Sequence, residues 1–181
     1  AGMDLVAIGA YYDQYPVAII SKSTSGITQL GDLRGKSIGL PGEFGSNWFG
    51  LLAALQAADL TLDEVQVVSI GFTQAASLST DAVDAVVGFV NSDAVQLEEM
   101  GEDINVIPLA DSDVPLVGAT IVTTRAWLDA HPDLARSTVG AIVAGMDRVI
   151  ANPQHALEVT AQWDRGLSDA QTRRGSRAIL D

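Results

Sequence analysis

Short apolar runs of strand length alternate with helical periodicities along most of this chain. Runs rich in Val, Ile and Ala predict strands at Leu5–Ala10, Val17–Ser21, Ser37–Leu40, Val65–Ile70, Ala85–Val90, Asn105–Leu109 and Val117–Thr123. Between them, Trp48, Leu51, Leu52 and Leu55 recur at the spacing of one buried helical face, with Ser46 as the expected N-cap. A second helix is expected after Thr73, capped by it, and a third over Asp93 to Met100, closed by Gly101. The last third turns helical: Arg125–Ala130, then Pro132 to Ile150, then Pro153 to about Trp163. Both prolines suit a first helical turn, where the missing N–H is an orphan anyway. A further helical stretch, from a plausible cap at Ser168 to Asp181, ends without a stop signal. Strands alternating with crossover helices imply an α/β fold with mostly parallel sheets and flanking helices.

Composition narrows the function. The 181 residues suffice for one substantial core or two modest lobes. A formal net charge of −13 disfavours nucleic acid and anionic membrane surfaces, both of which need a basic face. The absence of cysteine removes disulfides, thiolate nucleophiles and Cys-ligated metal. No apolar run approaches the ~20 residues of a membrane-spanning helix. Ala1-Gly2-Met3 shows no export signal, and the chain enters a strand almost at once, which is read as a start in the middle of a domain. Ser23–Gly26 followed by Leu30–Lys36 marks the expected passage into a second lobe, and Asp111–Pro115 the way back.

The strongest local feature is Leu40-Pro41-Gly42-Glu43-Phe44-Gly45-Ser46-Asn47, between a strand and the best helix. Glycines let backbone approach a ligand, and the amides at a helix start favour an accepting group. A turn needing glycine for shape alone is the alternative. Ile70-Gly71-Phe72-Thr73-Gln74 and Gly88-Phe89-Val90-Asn91-Ser92-Asp93 also put polar side chains just past apolar runs. In a parallel sheet all three loops share the carboxyl edge, where ligands gather. Thr73 and Ser92 serve as caps in any case, so Gln74 and Asn91 are the better ligand contacts. Tyr11, Tyr12 and Tyr15 cluster nearby in sequence; a tyrosine can stack on a flat ligand or simply pack at a strand end.

Signals for catalysis are thin. His131 and His155 have no metal-ligand spacing, no Gly-x-Ser-x-Gly elbow occurs, and Gly42–Asn47 is neither a Walker loop nor a dinucleotide fingerprint. The acidic groups at Asp59–Glu64 and Glu98–Asp103 read as solvated surface.

Several segments together resemble the NMT1/THI5-like (SsuA/ThiY-like) branch of ABC-transporter solute-binding proteins. They are Tyr12-Asp13-Gln14-Tyr15-Pro16-Val17-Ala18-Ile19-Ile20-Ser21, Ser25-Gly26-Ile27, and Asp32-Leu33-Arg34-Gly35-Lys36-Ser37-Ile38-Gly39-Leu40-Pro41-Gly42. Ile70–Gln74, Val83-Asp84-Ala85-Val86-Val87-Gly88-Phe89 and Val114-Pro115-Leu116-Val117 follow in order, and the Pro132 helix and Asn152-Pro153 step resemble the closing helices. Asp81 stands where the family commonly has glycine.

The resemblance implies a type II periplasmic-binding-protein fold of two α/β lobes, with residues 33–109 as lobe 2 and residues 1–32 and 110–181 as part of an incomplete lobe 1. Val17–Ser21 and Val117–Thr123 would be the crossing hinge strands, preceded by Pro16 and Pro115. It implies a small flat organic ligand in the inter-lobe cleft: a thiamine-pyrimidine precursor, riboflavin or a sulfonate. Tyr12, Gly42, Phe44, Gly45, Ser46, Asn47, Thr73, Gln74 and Asn91 would face it. No catalytic residue, metal or cofactor is implied. An inner-membrane ABC permease would be the partner and the location extracytoplasmic, in the periplasm or as a surface lipoprotein. Family members begin with further N-terminal chain, so the closing helices, with Leu134, Ile142, Met146 and Val149 on one apolar face, are expected to pack on absent structure, on another copy, or on exchanged elements. Two other readings stay open. One is an enzyme of the same fold, although the family's eukaryotic pyrimidine synthases carry a cysteine cluster that this chain lacks. The other is the effector-binding domain of a regulator.

Overall fold

The computed structural model describes residues 2–12, 14–111 and 116–164. The expected helix over Ser168–Asp181, Asp13, and most of the Asp111–Pro115 return segment lie outside the described residues. The chain divides into a central unit, residues 14–117, and a terminal unit, residues 1–13 with 118–181.

The central unit is built on a five-stranded sheet of β2 (Val17–Lys22), β3 (Ser37–Leu40), β4 (Gln66–Ser69), β5 (Ala85–Phe89) and β6 (Ile104–Pro108), in the order β4-β3-β5-β2-β6. β3 runs parallel to β4 and β5, while β2 is antiparallel to both β5 and β6. Four strands therefore share one direction and β2 alone opposes them. The mostly parallel sheet expected from the sequence holds with that one exception.

β2 explains why this sheet is buried on both faces. Val17 and Ile19 join one apolar cluster with Ile38, Leu40, Leu51 and Leu55; Ala18 and Ile20 join the other with Leu78, Val83, Val86 and Leu97. Successive strand side chains point to opposite faces, so a continuous apolar run is the mark of a strand covered twice. α1 (Gly45–Ala57) covers the first face; α2 (Gln74–Ser79) and α3 (Val95–Glu99) cover the second.

The lobe boundaries move accordingly. Residues 14–32, expected with lobe 1, fall in the central unit, where β2 sits between β5 and β6 and pairs with both. The division falls instead between residues 13 and 14 and between 117 and 118. An apolar strand with hydrogen-bond partners on both edges belongs to a core, whatever its sequence neighbours do.

In the terminal unit β1 (Leu5–Ala10) pairs antiparallel with β7 (Thr120–Thr124), with a register shift between Ala7 and Gly9. Three helices follow: α4 (Arg125–Ala130), α5 (Pro132–Ala151) and α6 (Pro153–Thr160). Thr124 caps α4 by accepting the Trp127 amide at 3.2 Å, and Asn152 caps α6 by accepting the His155 amide at 3.1 Å. The half-buried face of α5 runs through Val139, Ile142, Met146 and Val149, with Ala135 buried. Leu134 was expected on that face but points out, because it precedes Ala135 by one residue and so lies about 100° around the helix.

Candidate functional site

Because β3, β4 and β5 are parallel and adjacent, their carboxyl ends lie on one edge of the central sheet, as the sequence predicts. β2 begins at the same edge, since it runs the other way. Three loops project there: residues 41–44 before α1, 70–73 before α2, and a π-helical turn over Val90–Ala94 before α3.

In the first loop the Phe44 amide donates to the Gly42 carbonyl at 2.8 Å, and the Phe44 ring folds over Gly42. A Cβ at Gly42 would stand 2.5 Å from the Phe44 ring, so glycine is needed there for the ring to lie down. Gly45 takes φ +68°, a conformation that side chains resist. α1 begins at Gly45 with Phe44 in the cap position, and no side chain caps it. The expected Ser46 cap is thus corrected: Ser46 already lies within the first turn, exposed, and its carbonyl accepts the Tyr15 hydroxyl at 2.6 Å. Asn47 is buried and donates its side-chain amide to the Val87 carbonyl at 2.6 Å, which fastens α1 to β5.

In the second loop Thr73 stands at the start of α2, but its side chain does not cap the helix. Its hydroxyl donates back to the Ile70 carbonyl at 2.7 Å and lies 3.0 Å from the Ser77 hydroxyl. Gln74 next to it is only 6% exposed and opens α2. Among the described residues the buried side-chain polar atom without a partner is Ser79 Oγ, so the Gln74 amide is covered without being a sealed, unmet group. In the third loop, helical structure starts three residues earlier than the expected Asp93, and Asn91 is half-buried on the π turn. Asp93 accepts the Phe89 amide at 2.7 Å. Burial raises the Asp93 pKa, and that hydrogen bond offsets the rise only in part.

The loops also carry two exposed rings, Phe44 at 59% and Phe72 at 81%. Their charged residues are Glu43 and Asp93, with no Lys or Arg in 41–47, 70–74 or 89–93. Tyr12 belongs to the terminal unit, half-buried, its ring edge-on to Tyr11 at 5.2 Å between centroids. His131 leans on Trp127 and His155 lies 3.8 Å from Glu158, both on exposed surface of the terminal unit. Among the described residues no group of three or more His, Cys, Asp or Glu side chains could hold a metal ion. An open depression of about 380 Å³ lies at the far end of α1, lined by Leu52, Leu55, Asp59 and Leu62, away from the loops.

Two residues at this edge carry no sequence mark of the candidate site: Tyr15, one of three clustered tyrosines, and Asp93, at an expected helix start. The signals were slight. Asp93 stands four residues after the amide it accepts, a turn-like spacing, whereas Tyr15 and Ser46 are 31 residues apart and nothing local links them.

A family model described as NMT1/THI5 like matches residues 1–156. The riboflavin-binding protein RibY of Chloroflexus aurantiacus is 34% identical over 162 residues, which are 90% of this chain and 46% of the relative. The 4-amino-5-hydroxymethyl-2-methylpyrimidine phosphate synthase of Legionella pneumophila is 34% identical over 104 residues, 57% of this chain and 32% of that protein. The periplasmic aliphatic sulphonate binding protein SsuA from Escherichia coli matches in structure with a TM-score of 0.76 and 17% identity, covering 98% of this chain and 60% of that one. That likeness shows the fold, an α/β architecture of the periplasmic-binding-protein type. The chain spans about half the length of the curated relatives it matches, or less.

Proposed function

The chain belongs to the NMT1/THI5-like family, and on that premise we propose that it captures a small, flat, uncharged nitrogen heterocycle for an ABC importer, at the carboxyl edge of the central sheet. The observation that carries this reading is Gln74: a side-chain amide only 6% exposed at the start of α2, on a loop edge beside exposed Phe72. An amide of this kind offers both a donor and an acceptor, which suits a pyrimidine or flavin ring edge. Flat apolar rings beside a few polar groups are what a planar ligand needs. The relative named as a riboflavin-binding protein supports the same class. A sulfonate fits less well, because the only charged side chains in these three loops are acidic. The importer role carries with it a permease partner and an extracytoplasmic location.

A second reading, an enzyme acting on a pyrimidine precursor, is favoured by the relative named as a pyrimidine phosphate synthase. One experiment separates these. Riboflavin, 4-amino-5-hydroxymethyl-2-methylpyrimidine and taurine are titrated against the protein, and the bound molecule is then recovered for mass spectrometry. Saturable binding of one heterocycle, recovered unchanged and weakened about tenfold by Gln74→Leu, is expected. Tighter binding of taurine overturns the ligand class, and a chemically altered heterocycle favours the enzyme.

A further inference from the structure

We propose that Tyr15 is a positioning residue that holds the start of α1, and with it the glycine-rich loop, in place for ligand; the ligand half of this rests on the site proposed above. Tyr15 is the second residue of the central unit and stands at the amino end of β2, on the same edge as the three loops. Its ring, 8% exposed, is part of the apolar cluster with Val17, Leu51 and Leu109, and its hydroxyl reaches the Ser46 carbonyl at 2.6 Å. A hydrogen bond beside an apolar cluster is stronger than one in water, and removing it leaves the Ser46 carbonyl with its helical partner alone and the first turn without its tie to the β2 side. Burial also raises the Tyr15 pKa, so the phenol remains a donor through the neutral range.

The geometry around it shows why one bond matters. Gly42 and Gly45 make the preceding loop easy to bend, and α1 has no side-chain cap to fix its first turn. Two long-range ties hold that turn, although neither accepts from its free amides as a cap would: Tyr15 donates to the Ser46 carbonyl, and Asn47 donates to Val87 of β5. Gly50, one turn on, lets the helix sit down on β2, where an added Cβ would be 2.9 Å from Val17. Tyr15 itself is almost wholly covered, so its influence on ligand passes through the helix start rather than through contact.

The test uses the 181-residue chain with Tyr15→Phe, which keeps the ring in the core and removes only the hydroxyl. Val17→Ala serves as a control that weakens the same cluster and leaves the tie intact. Two measurements are made: amide hydrogen exchange at Gly50 and Leu51, whose N–H groups face the first-turn carbonyls, and riboflavin affinity by fluorescence titration. Tyr15→Phe should speed exchange at these two amides about tenfold, without change in β3 or β5, and lower riboflavin affinity about tenfold. Val17→Ala should lower the denaturation midpoint more than Tyr15→Phe does while holding the affinity. Unchanged exchange at Gly50 and Leu51 overturns the proposal, as does an affinity loss that merely follows stability across the two variants. If the unsubstituted protein binds no riboflavin, the ligand reading fails by itself, and exchange alone decides whether Tyr15 holds the helix start.

Discussion

The central and terminal units are made from similar sequence and bury it very differently. Val17, Ile19, Ile38, Leu40, Leu51 and Leu97 in the central unit are essentially sealed. In the terminal unit only Ala135 and Leu157 are buried among the described residues, although α5 alone is 20 residues long and carries apolar side chains throughout. Ile150 there is 76% exposed. The difference lies in layers rather than in composition. A five-stranded sheet has helices on both faces and partners for its inner strands, whereas the described two-stranded ribbon and its helices leave most of their apolar side chains at least partly uncovered. Amphipathic periodicity states which face of a helix seeks cover; it does not supply the cover.

The largest expected effect tests that contrast directly. Leu51→Ala, in the sealed cluster, should cost about 2–5 kcal/mol. Ile150→Ser on α5 should change stability by less than about 0.5 kcal/mol. Urea denaturation of each, followed by tryptophan fluorescence, checks both, and a multi-kcal loss from Ile150→Ser would mean that the face is covered after all.

Glycines inside helices sharpen it next. A Cβ on Gly50 would meet Val17 at 2.9 Å and Leu109 at 3.2 Å, while one on Gly140 in α5 meets nothing within 4 Å. Gly50→Val should therefore destabilise by about 1–3 kcal/mol through overpacking, and Gly140→Val should be neutral or slightly stabilising. Equal losses in thermal melts of the two variants would break the comparison.

The smallest effect concerns carboxylates. Asp84 accepts the Ser37 hydroxyl at 2.6 Å and the Ser37 amide at 2.8 Å, and its own amide donates to the Ser37 hydroxyl, clasping the starts of β3 and β5. These bonds, the hydroxyl first, lower its pKa. A carboxylate with a depressed folded pKa stabilises above the ordinary carboxylate range, and loses that contribution as pH falls through the folded value. Asp84→Ala should cost about 1 kcal/mol at neutral pH, a gap that closes on acidification. Asp133, whose carboxylate meets Arg136 at 3.0 Å on open surface, should give no measurable loss when changed to Ala. Denaturation midpoints taken from neutral to acid pH decide it; a gap that persists at low pH would mean that packing, rather than charge, is lost at residue 84.

Much of the fold was legible because it is local. β1, β3 and α4 begin and end where the apolar runs and turn residues predict, Pro132 and Pro153 open their helices, and Gly101 turns the chain at φ +84°. The parallel order of β3, β4 and β5 followed from the alternation of strands and helices, so the three loops on one edge were legible too. Which loop residues remain available to a ligand was not. Asn47, Thr73 and Gln74 share the chemistry of ligand contacts, and only the fold shows that Asn47 also bonds to Val87, 40 residues away, and that Gln74 is 6% exposed.

By itself, the sequence determined the element types, the absence of cysteine chemistry and the acidic balance, since each depends on residue identity or on spacings of a few positions. Tertiary structure alone decided that β2 lies inside the central sheet between β5 and β6, and that Tyr15 bonds to a helix start 31 residues away. Strand partners and long-range hydrogen bonds are chosen by what the rest of the chain brings alongside, and a local pattern carries no record of that choice.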